Sequence, residues 1–387
     1  MYRKTYIEIN VNNIVHNVKT IINNYPDYKY YFGIVKGNVY GHGYEIVKDL
    51  INSGINYLAV SSLEEAIEIR KISQDIPVLC LQPIHIKDIE DAIKYNVTIT
   101  VTNLNYLNDI IKLNLNNELK IHLKINSGFN RLGIDNKDEL KNIVDKIKSN
   151  PLLKLEGIFS HFATSGKFDK HWDNQLASFI EITSLINLKE IPIVHFGNSL
   201  TLLNHKKIDF CNGIRIGIIM YGYTRKSDDN KNLLSYIRQL KNKINKVLLN
   251  ISETINEITE IYKPAFCLYS EIIEIRKINK DSFVGYGASF KADKDCSLAY
   301  ASIGYSDGLS KRNENGFVYI NNKRYKIICI DMNITTILID DSIKLYDKIE
   351  FLGNNISMKE FSNRNNTNAY EILCEFKESI PRIIINK

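Results

Sequence analysis

This chain of 387 residues lacks three things, and each absence closes off a class of protein. No apolar run approaches the roughly 20 residues needed to cross a bilayer, and the opening MYRKTYIEIN lacks the apolar centre of a secretion signal. The six cysteines, Cys80, Cys211, Cys267, Cys296, Cys329 and Cys374, are scattered with no C-x-x-C spacing, which argues against a disulfide framework or a zinc site. Clustered basic charge is also missing. The net charge is +6, but the lysines are spread along the chain and alternate with Asp and Glu, so it reads as ordinary surface charge. A soluble cytoplasmic protein with no membrane, nucleic-acid or metal partner is expected.

At this length one hydrophobic core is usually outgrown, so a large domain joined to a smaller one is expected. The 44% hydrophobic content is incompatible with general disorder. Short apolar runs recur at YYFGIVK (30–36), NYLAVSS (56–62), PVLCLQ (77–82), VTITVT (97–102), LKIHLKI (119–125), LEGIFSHF (155–162), PIVHFGN (192–198) and GIRIGII (213–219). Helical-period stretches such as LEEAIEIRKI (63–72), IKDIEDAIKY (86–95) and KDELKNIVDKIK (137–148) separate most of them. Buried strands alternating with helices are the sequence form of a parallel α/β architecture. Eight repeats predict a (β/α)8 barrel over residues 1–225.

From about residue 265 the pattern turns to β, with LYSEIIEIRKI, SLAYASIGY, GFVYINNKRYKIICI, TTILID, KIEFLG and AYEILCEF separated by Asn, Asp and Gly turns. A mainly β C-terminal domain over 263–387 is predicted, after a helical connecting segment at 226–262 that carries no chemical motif. The strand-like YIEINV lies before the first helical stretch, and residues 1–11 could pair with the C-terminal domain instead of the barrel.

Catalytic residues of such barrels stand where strands end and loops begin. Lys36 closes the first barrel strand and enters the turn GNVYGHGY, Arg131 follows the fifth in NSGFNRLGI, and His161 and Ser199 end the sixth and seventh. Each has an ordinary reading when taken alone. Lys36 would be a surface lysine, Ser199 a helix cap and Arg215 a solvated arginine at a strand end.

The order of neighbours changes this reading. VKGNVYGHG resembles the cofactor-binding signature of the alanine racemase family, and NSGFNRLGI, EGIFSHFATS, HFGNS, GIRIGIIMYG, VGYGASF, SIGYSDG and IICID resemble further blocks of that family, in order, across both expected domains. The resemblance implies a barrel followed by a β-domain and a homodimer with sites shared between subunits. It also implies pyridoxal 5'-phosphate as cofactor, and the interconversion of L- and D-alanine for peptidoglycan synthesis. Lys36 is then the residue that carries the cofactor as an imine. Tyr286, in VGYGASF, is the second acid/base, supplied by the partner subunit. The chemistry needs both, because an amino acid's α-proton is too weakly acidic for an unaided side chain, and inversion needs an acid/base on each face. A tyrosine hydroxyl starts near pKa ~10, so it needs assistance, for which His161 is the candidate.

By the same resemblance Arg215 hydrogen-bonds the pyridine nitrogen of the cofactor. An arginine stays protonated and cannot take a proton from the ring, which leaves a weaker electron sink and disfavours transamination. His195 either orients this arginine or is a structural buried histidine. Ser199, Tyr40 and the backbone N–H groups of Gly217 and Ile218 are the phosphate contacts, with Asn198 supporting the turn. Arg131 matches an arginine near the substrate carboxylate, and Ile330 offers a backbone N–H near the substrate. Lys124 matches a lysine that is carbamylated in some members. Carbamylated, it would position Arg131; the alternative is an ordinary barrel-interior lysine paired with an acid.

Departures from the family pattern bear on substrate choice. Asn126, Ser127, Gly128 and Phe129 stand where Asp-Thr-Gly-Met is common, and Ile330 replaces a methionine. Glu378 takes the place where some members have a phosphate-binding tyrosine; a carboxylate there must point away, be shifted by the alignment, or serve a different pocket. Alanine is the favoured substrate, with serine or another small amino acid open. Two rivals differ in kind: a fold-related pyridoxal-phosphate decarboxylase, which would release gas, and a cofactor carrier, which would leave amino acids unchanged.

Overall fold

The computed structural model describes residues 4–165, 170–223 and 261–386. These fall into two compact units, one within Val15–Met220 and one joining Met1–Ile14 to Tyr221–Lys387. Apart from 261 and 262, the segment expected to be helical at 226–262 lies outside the described residues.

The first unit is the expected barrel. After strand β1 (Tyr6–Asn10), its eight strands are β2 (Tyr30–Ile34), β3 (Tyr57–Val60), β4 (Val78–Cys80), β5 (Val97–Val101), β6 (Leu119–Lys124), β7 (Leu153–Phe159), β8 (Ile193–His195) and β9 (Gly213–Ile216). All neighbours pair in parallel, and β9 returns to β2 through Tyr30↔Gly213 and Phe32↔Arg215 to close the ring. Strands β3 and β5 are buried along their whole length. Burial on both faces is why these strands read as continuous apolar runs.

Asparagine, abundant in this chain, has a defined job in the barrel helices. Asn103, Asn136 and Asn198 each cap a helix, their side-chain oxygens accepting the orphan N–H groups of the first turn. Such caps fix where each helix begins, and hence how each strand end is presented. Among the described residues no helix is long and apolar enough to cross a membrane.

The second unit is a β-domain. Its main sheet contains β10 (Phe266–Ile278), β13 (Cys296–Ala301), β14 (Phe317–Ile320), β15 (Lys323–Ile330), β16 (Thr335–Ile339), β17 (Lys348–Leu352) and β18 (Arg382–Ile385), with β1 placed between β10 and β18. Ile7 lies opposite Leu268 in antiparallel register and opposite Arg382 in parallel register. The short hairpin of β11 (Phe283–Val284) and β12 (Phe290–Lys291) stands apart from this sheet.

Candidate active site

Lys36 follows β2 and is exposed at the C-terminal face of the barrel. The chain after it does something unusual for L-residues: Gly37, Asn38, Val39, Tyr40 and Gly41 all have positive φ, between 49° and 74°. Val39 is β-branched, and its left-handed conformation costs about 1–2 kcal/mol. The surroundings fasten this turn. Gly37 N–H donates to Glu65 Oε1 at 2.6 Å, Val39 N–H to Val35 O at 3.0 Å, and Gly43 N–H to Asn38 O at 3.1 Å. Backbone strain held by such bonds is what functional turns display, and here it starts one residue beyond the lysine.

Arg215, on β9, is buried and points into the barrel. Nη1 donates to His195 Nδ1 at 2.7 Å and to His195 O at 3.1 Å. Nη2 donates to Ser160 O at 2.6 Å, to Phe196 O at 2.9 Å and towards His161 Nδ1 at 3.2 Å. Nε–H is the donor left over among the described residues. Burial lowers the Arg215 pKa to about 10, so it stays protonated at neutral pH. His195 does orient this arginine, and it is itself stacked between Phe32 and Phe159, at 4.4 and 4.8 Å between ring centroids.

His161, two residues beyond β7, is held well below the ordinary histidine range by burial and then by the charges of Arg215, Lys124, Arg131 and Lys36. It is therefore neutral near pH 7. Every charge acting on it is positive, so this end of the barrel suits an anionic ligand. Lys124 closes β6 with its ammonium 4.9 Å from the Phe159 ring centroid, and burial, then Arg215, Arg131 and Lys36, push its pKa down to about 7. No acid is paired with Lys124 among the described residues. Arg131 is exposed, with its guanidinium 4.3 Å above the Phe129 ring.

The expected phosphate contacts come together. Ser199 is buried at the start of a short helix capped by Asn198, and its Oγ accepts the N–H of Gly217 at 3.1 Å. A Cβ at Gly217 would sit 3.0 Å from the Tyr40 hydroxyl, so the two loops approach closely at this glycine. Ile218, next in sequence, opens the turn Ile218–Tyr221.

In the β-domain, Tyr286 is at the tip of the hairpin between β11 and β12, flanked by Gly285 and Gly287 at positive φ, and is 82% exposed. So exposed a ring is not a core aromatic of the β-domain. Ile330 ends β15 with its side chain fully buried and its N–H donated to Glu314 Oε1 at 3.0 Å, so the amide expected to face substrate is already engaged. Glu378 lies exposed in the turn before β18. Three residues escaped the sequence reading: Glu65, which pins the turn after Lys36, and His122 with Glu156, which lie behind His195. The available signal for the last two was a polar residue inside an otherwise apolar strand pattern, in LKIHLKI and LEGIFSHF.

Residues 9–225 match the N-terminal domain of alanine racemase and residues 265–384 its C-terminal domain. "Alanine racemase 1" of Bacillus subtilis is 30% identical over 393 residues, covering 99% of this chain and 94% of that protein. "Alanine racemase" of Borreliella burgdorferi is 33% identical over 380 residues, covering 96% and 94%. Among solved structures, alanine racemase from Bacillus anthracis with bound L-Ala-P superposes with a TM-score of 0.86 at 29% identity, covering 100% of this chain and 96% of that one.

Proposed function

The chain belongs to the alanine racemase family, and from that membership we propose that it interconverts L- and D-alanine, with Lys36 and Tyr286 as the acid/base pair. The family depends on pyridoxal 5'-phosphate. The observation that carries the reading is the donor set at the open end of the barrel. An exposed lysine on a fastened turn lies among positive charges, Ser199 and Tyr40 hydroxyls converge on Gly217, and Arg215 keeps one N–H in reserve. These groups fit an aldehyde, a phosphate and a ring nitrogen that only accepts.

When bound, the cofactor supplies the electron sink that makes the substrate α-proton removable. Lys36 Nζ would hold it, and its amine can take or return a proton on one face. The Ser199 and Tyr40 hydroxyls and the Ile218 N–H would hold the phosphate, with the Gly217 N–H, which donates to Ser199 Oγ, turning to it. Arg215 Nε–H would hold the ring nitrogen, and a guanidinium, which only donates, offers no acceptor for a protonated ring. His161, kept neutral, adds no charge of its own. Arg131 receives the substrate carboxylate, and the Tyr286 hydroxyl works the opposite face.

A second copy of the chain supplies that tyrosine in this proposal. Tyr286, Phe283, Met332 and Tyr305 of the β-domain are 82, 63, 55 and 44% exposed, an apolar set that suits burial against a partner. Lys124 is the proposed carbamylation site. With its pKa near 7, a neutral amine is available to attack CO2, losing one proton and becoming a carbamate anion that can hold Arg131. D-Alanine made this way would serve peptidoglycan synthesis in the cytoplasm.

The test incubates wild type and Lys36→Ala with pyridoxal phosphate and either L-alanine or L-serine, following D-product by chiral chromatography. D-Alanine from the wild type alone is expected. No D-product from either substrate would overturn the proposal; gas release would then favour a decarboxylase, and unchanged amino acids a carrier.

A further inference from the structure

Behind Arg215, polar contacts continue into the barrel away from the proposed cofactor. His195 Nε2 lies 3.0 Å from His122 Nδ1, and His122 Nε2 lies 3.2 Å from Glu156 Oε2. The same carboxylate oxygen accepts the Tyr57 hydroxyl at 2.6 Å and the Thr98 hydroxyl at 2.9 Å. Both histidines are fully buried, and the Glu156 side chain is 17% exposed.

Two backbone features build this arrangement. Between β6 and β7 the register runs Ile121↔Leu155 and then His122↔Gly157, so Glu156 is an extra residue, a bulge. Bulges re-aim side chains, and this one turns a carboxylate towards the ring of His122. Gly157 is the second feature. A Cβ there would lie 2.4–2.7 Å from the His122 ring atoms, so the imidazole occupies the space a side chain would fill.

The direction of every hydrogen in the chain follows from its two ends. A carboxylate only accepts, so His122 carries its hydrogen on Nε2, leaving Nδ1 to accept from His195 Nε2–H. A guanidinium only donates, so His195 Nδ1 must be a bare acceptor, which again puts the hydrogen on Nε2. Both ends demand the same pair of neutral tautomers. Burial would push the Glu156 carboxyl up, but hydrogen bonds from His122, Tyr57 and Thr98 hold it below the ordinary carboxylate range. Burial also lowers the His122 pKa, which favours the neutral ring this chain needs. None of the five contacts made by the Arg215 terminal nitrogens is to an anion. Glu156 is the negative group at the end of the line.

We propose that Glu156 is a positioning residue for the racemase reaction, which, through His122 and His195, fixes the tautomers that hold Arg215 with Nε–H facing the cofactor ring nitrogen. This rests on the reading of Arg215 given under the proposed function. The relay itself stands on geometry alone. Removing the acceptor at 156 frees His122 to move its hydrogen to Nδ1, which would force His195 to present N–H towards the guanidinium and turn Arg215 aside.

The test uses the holoenzyme labelled with 15N-histidine, in wild type, Glu156→Leu and Glu156→Gln. Nitrogen–hydrogen correlation spectra should show His122 and His195 as Nε2–H tautomers in the wild type and a changed pattern in the Leu variant. Gln keeps an acceptor oxygen and should restore the wild-type pattern. In parallel, kcat should fall about ten- to a hundredfold in the Leu variant with KM for alanine changed less than about threefold, and recover most of the loss in Gln. An Nδ1–H tautomer in wild-type His122, or wild-type tautomers in the Leu variant, would overturn the relay. Altered tautomers with unchanged kcat and cofactor absorbance would overturn the link to the ring nitrogen while leaving the relay intact. The Gln variant, which replaces one hydrogen-bonding side chain by another of the same size, keeps the test open if the Leu variant fails to fold.

Discussion

The two halves of the proposed site are built in opposite ways. In the barrel, Arg215 is buried, its terminal nitrogens are engaged, and the chain of partners runs on to Glu156. In the β-domain, Tyr286 stands 82% exposed on a glycine-flanked hairpin tip. A group that must hold a ring nitrogen in one place gains from rigid burial, whereas a group delivered from another subunit must be exposed until that subunit docks. On this proposal the barrel is the preorganised half and the β-domain the half completed by assembly.

Lys36→Ala attacks the barrel half at its attachment point and should have the largest effect. Racemisation is expected to fall by at least about 1,000-fold, and hydride reduction should no longer leave the cofactor on the denatured chain. Tyr286→Phe attacks the other half. A loss of roughly 10²–10⁴-fold is expected with cofactor attachment intact, and in deuterated water one enantiomer should still exchange its α-hydrogen without inverting. If that variant also lost the cofactor, the division of labour between the halves would be wrong.

Lys124 sharpens the barrel side through pH. Its pKa is about 7 in the folded chain and 10.5 when unfolded, so the folded state binds fewer protons between those values and stability rises with pH across that window. The charged amine is tolerated worst below pH 7. Lys124→Met, measured without bicarbonate, should therefore raise Tm most near pH 6, with the advantage shrinking towards pH 10. An advantage that grew with pH would contradict the depressed amine.

The smallest effect on the chain itself is expected on the exposed face. Phe283→Ser with Met332→Ser should change unfolding stability by less than about 1 kcal/mol, since both side chains are largely solvated, yet should shift the mass in light scattering from dimer towards monomer. An unchanged mass would remove this face from the interface.

The barrel was legible because strands buried on both faces leave continuous apolar runs, and β3 and β5 are buried throughout. Lys36 and Ser199 were proposed because short motifs put chemistry at strand ends, and Arg215 from the family resemblance of its strand. The left-handed turn was not legible, because glycines at 37 and 41 hint at positive φ but nothing local puts Val39 there. Glu65, far along the chain, pins that turn. His122 and Glu156 escaped for a similar reason: they lie 34 residues apart on neighbouring strands, and a single register shift aims one at the other. The Ile330 amide looked available by resemblance, but Glu314 occupies it. Contacts between distant segments decide all of these, and a linear pattern does not record them.

The proposed division of the site between subunits is tested most directly by mixing two inactive variants, Lys36→Ala and Tyr286→Phe, through partial denaturation and refolding. In a mixed dimer one site receives both wild-type residues, so about a quarter of wild-type activity should return at equal proportions. Dimers that mix, as judged by mass-tagged subunits, and yet stay inactive would contradict a site shared between two chains.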